Sequence, residues 1–203
     1  MPAKEPLHPQ TRRHLVNSDR LRCSAIKEFA LYGLTGAKVS NIVANAELTQ
    51  PSFYRVWPSK EAAYHDIIEN TAETWYSAAA SMFHQDVAWT AENLLERIEY
   101  GINTLFTALT ENMDLTTLVI RHQLNNPAER DTYLAIYDQG FDDLQQDGII
   151  GQDIPSEVLA QAYLALTERF FVARLLNGQG SPLAVSREVA PLMVGILNSA
   201  TSG

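Results

Sequence analysis

The chain of 203 residues has one cysteine, Cys23. No disulfide can form within it, and a lone thiol suits the reducing cytoplasm, the expected location. No signal peptide is expected either, because "MPAKEPLHPQTRRH" has no apolar h-region. Long hydrophobic runs are scarce. The longest, Val158 to Leu176, is interrupted by Glu168, Arg169 and Arg174. That argues against a bilayer span and predicts a deeply buried helix. The sequence also lacks sustained period-two alternation, internal repeats and low-complexity tracts. "TTLVI" at 116–120 has strand-forming residues but lies in a segment of helical length. A nucleophile elbow, a P-loop, a dinucleotide fingerprint and a Cys/His cluster are all absent. His65 and Glu69 stand four apart, but two ligands do not make a metal site. Asp142-Asp143 and the Glu96/Glu99 pair read as solvated faces. No metal, cofactor, catalytic residue or membrane partner is expected.

What the chain has is enough apolar material, 46% of residues, to bury a sizeable core. It also has an uneven charge. The net charge of -9 conceals a basic first quarter: residues 1–60 hold nine Lys/Arg (Lys4, Arg12, Arg13, Arg20, Arg22, Lys27, Lys38, Arg55, Lys60) against four Asp/Glu. The remaining residues hold six basic and twenty acidic side chains. Such asymmetry points to a nucleic-acid or membrane partner for the basic part, with the acidic part turned away from phosphate.

The patterning is helical throughout. A polar cap at Asn17-Ser18 opens a helix over 18–32, with Leu21, Ala25, Ile26 and Phe29 as its apolar stripe and Gly33 as its stop. Val39, Ile42, Val43 and Ala46 mark a second, short helix over 39–46. Glu47 and Leu48 form a turn, and a third helix covers 50–57. A long fourth helix follows the Ser59 cap and runs to about Phe83. Further helices fit between breaks near Glu111–Asp114, Asn125–Pro127, Gly148–Pro155 and Gly178–Pro182, and the last covers roughly 183–198. Pro191 falls inside that last helix, where an interior proline costs about 3 kcal/mol. The expected fold is all-α, with about nine helices.

The stretch "LTQPSFYRVWPSKEA", 48–62, carries the chemistry. Thr49 and Ser59 each cap a helix, and the helix between them is too short to be stable alone in water. Phe53, Val56 and Trp57 can anchor it, leaving Gln50, Ser52, Tyr54 and Arg55 on its other face. A helix, a tight turn and a short polar helix within a basic quarter form the helix-turn-helix pattern. Gln50 suits bidentate pairing with adenine. Pro51 and the Tyr54 ring suit a thymine methyl. Arg55, Lys60 and the N–H groups after Ser59 suit phosphates.

With these residues in register, "AIKEFALYGLTGAKVSNIVANAELTQPSFYRVWPSKEAAY" resembles the N-terminal domain of tetracycline-repressor-like (TetR family) transcriptional regulators. The resemblance covers residues 21 to about 68. It rests on Phe29 with Gly33, Val39 with Ile42, the Thr49 cap, Phe53-Tyr54, Trp57 and Ser59-Lys60-Glu61. It implies base contacts from Gln50, Pro51 and Tyr54, and phosphate contacts from Lys38, Ser52, Arg55 and Lys60. Ser40 and Thr49 complete the expected DNA-facing set. The sequence departs from the family's pattern at several places: Val43 stands at a usually small position, Glu47 at a usual glycine, Ala37 at the usual capping threonine, Arg55 at a frequent aromatic and Val56 at a frequent histidine. A left-handed Glu47 would store roughly 1–2 kcal/mol of strain.

The resemblance also implies a homodimer through the last two long helices, a palindromic double-stranded operator and release by a small-molecule effector. The expected organisation is a DNA-binding domain over 1–62, with 1–16 as a flexible arm, and a ligand-binding and dimerisation domain over 63–203. Apolar residues run nearly all round Val158–Leu176, so that helix should be covered on two sides. Candidate interface residues are Tyr163, Leu166, Phe171, Leu192 and Ile196. Candidate pocket residues are Trp75, Tyr100, Phe106, Arg121, His122, Tyr133, Tyr137 and Phe170. The expected function is a ligand-responsive regulator, most readily a repressor. A small helical enzyme, or a helical interaction module without sequence-specific DNA binding, is the alternative.

Overall fold

The computed structural model describes residues 9–84 and 87–198. Among them there is no strand, and nine α-helices form the architecture: α1 (Pro9–Gly36), α2 (Val39–Asn45), α3 (Gln50–Tyr54), α4 (Lys60–Ala80), α5 (Leu94–Thr110), α6 (Met113–Asn125), α7 (Pro127–Gln146), α8 (Ser156–Phe170) and α9 (Pro182–Asn198). The strand-like "TTLVI" lies in α6. A π-helical turn, Phe171–Leu175, extends α8 and was not visible in the sequence. α1 begins well before the Asn17-Ser18 cap, so residues 9–16 of the expected flexible arm are helical; residues 1–8 lie outside the described residues. The break at Gly33 is where the sequence put it: φ is +66°, a left-handed conformation that glycine takes without strain. α9 continues through Pro191, whose side chain is exposed on its outer face.

Two apolar clusters organise the helices. The first joins Leu21, Ile26 and Phe29 of α1, Ile42 of α2 and Phe53 of α3 to Ile67 and Trp75 of α4, and it also takes in Leu118 and Val119 of α6. The apolar core of the N-terminal unit is therefore not closed at residue 62. The second cluster fills the bundle with Ile98, Ile102 and Phe106 of α5, Tyr137 and Phe141 of α7, Leu159 and Tyr163 of α8, and Val189 and Met193 of α9. α4 contributes to both, through Trp75 below and Ala79 above.

The upper end of α4 is set by close approach. Met82 and Phe83 pass so near Gly101 of α5 and Gly140 of α7 that a Cβ at either glycine would run into them. Phe83 then stacks edge-on against Phe141 at 5.6 Å and against Tyr137 at 6.1 Å. Met82 has rotatable bonds with which to yield, whereas the Phe83 ring does not. We expect Gly140→Ala to destabilise the protein by about 1–3 kcal/mol, the usual range for overpacking, read as a lowered midpoint in thermal or urea denaturation.

Tyr137 and Tyr163 are stacked at 4.4 Å between ring centroids and are each about 1% exposed. Burial pushes both hydroxyls well above the ordinary tyrosine range. The sign follows from linkage: a pKa raised in the folded state gives stability that is present below the unfolded value of about 10 and is lost as pH climbs past it. Stability should therefore begin to fall at about pH 10, the free value, and go on falling above it, and Tyr163→Phe should flatten that fall in urea titrations.

Candidate nucleic-acid interface and bundle cavity

α3 is five residues long and is held from behind. Phe53 is fully buried, and Trp57, 6% exposed, stacks on it at 5.4 Å. The Trp57 indole N–H donates to Asp66 Oδ2 at 3.0 Å, and Arg22 Nη1 of α1 donates to the same oxygen at 2.8 Å. Asn70 Nδ2 donates to the other carboxylate oxygen at 2.8 Å. One carboxylate on α4 thus ties α1, the end of α3 and α4 together. With its apolar side fixed, α3 turns Gln50, Pro51 and Tyr54 to solvent, Tyr54 being 54% exposed. Lys38, Ser40 and Thr49 are also exposed, and Ser52 is half-buried. These residues share one end of the molecule, on α2, α3 and the turns beside them.

Two of the expected phosphate ligands are engaged within the protein. Arg55 folds back over α3, donating from Nε to the Pro51 carbonyl and from Nη2 to Ser52 Oγ. Lys60 Nζ donates to the Ala37 carbonyl at 3.1 Å and lies 3.5 Å from that of Thr35, which pins the start of α4 to the α1–α2 turn. Ser59 caps α4 as expected, accepting from the Ala62 N–H at 3.0 Å. A hydrogen bond from its own backbone N–H, and then the Ser59 hydroxyl, hold the Glu61 carboxyl below the usual range.

The departures at Ala37 and Glu47 are both accommodated. α2 lacks a side-chain cap of its own. Glu28, 4% exposed on α1, supplies one from across the fold, accepting from the Lys38 N–H at 3.1 Å and from Asn41 Nδ2 at 2.9 Å. An acid in an otherwise apolar stripe was the signal for this role, and the sequence reading passed over it. Glu47 is left-handed, with φ +54°. Its N–H donates to the Ala44 carbonyl and that of Leu48 to the Val43 carbonyl, which is the paired hydrogen bonding of a Schellman turn. Arg20 Nη2 meets its carboxylate at 2.6 Å. Glu47→Gly should relieve about 1 kcal/mol of strain while losing an exposed ion pair worth about 0–1 kcal/mol. Stability should then change little, whereas DNA affinity should rise because a negative charge leaves the helix-turn-helix; filter-binding titrations at fixed salt would show it.

A cavity of about 110 Å³ lies in the bundle, lined by Trp75 of α4, Leu105, Phe106 and Leu109 of α5, Ile120 and Gln123 of α6, Tyr133 and Tyr137 of α7, Leu164, Thr167 and Glu168 of α8, and Phe171. Trp75, Phe106, Tyr133 and Tyr137 are where the sequence reading put them. The other four expected residues do not line it. Tyr100 is 51% exposed on α5. Arg121 crosses to α1 and donates to the Ala30 carbonyl at 2.9 Å. His122 is buried beside Tyr64, with its Nδ1 3.2 Å from the Tyr64 hydroxyl. Phe170 packs, half-buried, against the bundle core. The helical period explains the α6 exchange: Gln123 and Ile120 share the face toward the cavity, whereas Arg121 and His122 share the face toward α1 and α4.

Two expected interface residues point inward. Tyr163 and Phe171, at 1% and 2% exposure, belong to the bundle core, because they lie on the inner face of α8 with Leu159 and Thr167. Leu192 is 48% exposed, and Leu166 and Ile196 are half-buried. Among the described residues no helix is long and apolar enough to cross a membrane, and no group of three or more potential ligands could hold a metal ion.

Comparison with known proteins agrees with this geometry. Residues 23–66 match the family described as "Bacterial regulatory proteins, tetR family". The HTH-type transcriptional regulator YdgC of Bacillus subtilis (strain 168) is 28% identical over 177 residues, which are 86% of this chain and 89% of that protein. A bacterial regulatory protein in the tetR family from Rhodococcus RHA1 superposes with a TM-score of 0.71 at 14% identity, over 90% of this chain and 97% of its own. The transcriptional regulator FadR from Bacillus subtilis, in complex with stearoyl-CoA, superposes with a TM-score of 0.66 at 18% identity, over 87% of this chain and 97% of its own. The helix-turn-helix over residues 23–66 is thus of the kind found in bacterial regulatory proteins of the tetR family, and the whole chain has the fold of solved regulators of that kind.

Proposed function

We propose that two copies of the chain form a repressor that reads a palindromic operator with α3 and releases it when a small molecule occupies the bundle cavity. The observation that carries this reading is the construction of α3: a polar, exposed edge of Gln50, Pro51 and Tyr54 on a helix whose other side is fastened by Phe53, Trp57 and Asp66. Gln50 and Tyr54 meet bases. Lys38, Ser40, Thr49 and Ser52 position the backbone, and Arg55 and Lys60 reach phosphates by letting go of their internal partners. The two heads then sit about 34–36 Å apart, on successive major grooves of one DNA face.

The outer face of α8 and α9 supports the dimer. Val158, Leu183 and Leu192 are 43–49% exposed there, beside exposed Ala165, Pro191 and Gly195. Leu166 and Ile196 edge this face, and Tyr163 and Phe171 back it from within. The route to release is supported by α6, which lines the cavity with Ile120 and Gln123 and reaches the DNA-binding head through Arg121, Leu118 and Val119. A ligand lowers operator affinity by as much as it prefers the released arrangement of this contact. Stearoyl-CoA, held by the Bacillus subtilis FadR structure, shows one ligand that this fold can carry.

Selection of bound duplexes from a random pool tests the reading. Wild type should enrich a palindrome, Tyr54→Ala should lose it, and Gln50→Ala should relax one position per half-site by about 1–3 kcal/mol of discrimination. An unchanged base preference in Gln50→Ala removes that residue from the readout. A monomer in sedimentation at micromolar concentration removes the dimer.

A further inference from the structure

The cavity's own chemistry narrows what it holds. Its walls are mainly apolar and aromatic: Trp75, Phe106, Tyr133, Tyr137 and Phe171 surround it. A dry apolar cavity of about 150 Å³ accepts a benzene ring, so a volume of about 110 Å³ suits a single small ring. Among the described lining residues there is no lysine, arginine or histidine, and the one charged side chain is acidic, Glu168. A carboxylate or phosphate entering here would give up water and find no cation among the described lining residues to replace it. One lining group asks for a partner: Gln123 Nε2 is buried with no hydrogen bond. A buried donor left unpaired is costly, and an acceptor on the ligand would satisfy it.

Resting on the reading of this cavity as the effector site, we propose that the effector is a small, uncharged, ring-sized molecule whose carbonyl-type oxygen accepts from Gln123 Nε2. The apolar body fills the aromatic walls, and the single acceptor sets its orientation against α6. Anionic ligands are disfavoured, because no cation among the described lining residues meets them.

The test uses three probes of one ring size on the full-length protein, by calorimetric titration: benzamide, benzoate and toluene. Benzamide and benzoate differ mainly in charge, and toluene lacks the acceptor. Benzamide should bind at least tenfold more tightly than benzoate. Gln123→Leu should weaken benzamide about fivefold, the loss of one neutral hydrogen bond, and should leave toluene unchanged. The proposal is overturned if benzoate matches benzamide, if Gln123→Leu weakens both neutral probes equally, or if no probe binds at millimolar concentration. Operator binding is measured on the same samples without probe. If it persists in any of those outcomes, the ligand class is wrong and the regulator reading stands; if it is missing, the regulator reading fails independently.

Discussion

The reading head depends on one carboxylate. Asp66 receives Arg22 from α1, the Trp57 indole from the turn after α3, and Asn70 from its own helix. A five-residue helix has too few internal hydrogen bonds to persist in water. Its orientation must come from outside, and Asp66 with the buried Phe53 supplies it. Because Asp66 is on α4, the recognition helix takes its position from the same rod that reaches the cavity through Trp75 and the bundle top through Met82 and Phe83.

α6 makes the second connection. It is a short helix with two working faces. Leu118 and Val119 are buried in the head's cluster, Arg121 caps the Ala30 carbonyl and His122 meets Tyr64, while Ile120 and Gln123 line the cavity. The head and the bundle therefore share α4 and α6, and the chain has no empty seam at residue 62. Both helices touch the head and the cavity at once.

Local exceptions are balanced by residues distant in sequence. Glu47 occupies a left-handed position usual for glycine and keeps its carboxylate on Arg20. Ala37 provides no cap, and Glu28 provides it from α1. In both cases the local pattern identified an irregularity, and a side chain more than eight residues away answered it. Arg55 and Lys60 show the converse: expected from sequence as phosphate contacts, they bond to backbone carbonyls and a serine within the fold.

By itself the sequence determined the helical class, the element order and the helix-turn-helix pattern that includes α3. These follow from short-range physics: apolar period, capping residues, glycine stops and charge balance act within a few residues. It also set four of the cavity's aromatic residues, because large apolar side chains in a bundle turn inward. Direction around a helix was decided only by the tertiary structure. Tyr163 and Phe171 face the core and not a partner, Arg121 and His122 face α1 and α4 and not the cavity, and Gln123, a polar residue passed over in sequence, faces the cavity. An apolar pattern that runs nearly all round a helix carries no information on which neighbour takes which side. That choice belongs to the packing of whole helices: Phe83 against Gly140, Asp66 between α1 and α3, and α6 between head and bundle fix which face of each helix turns inward.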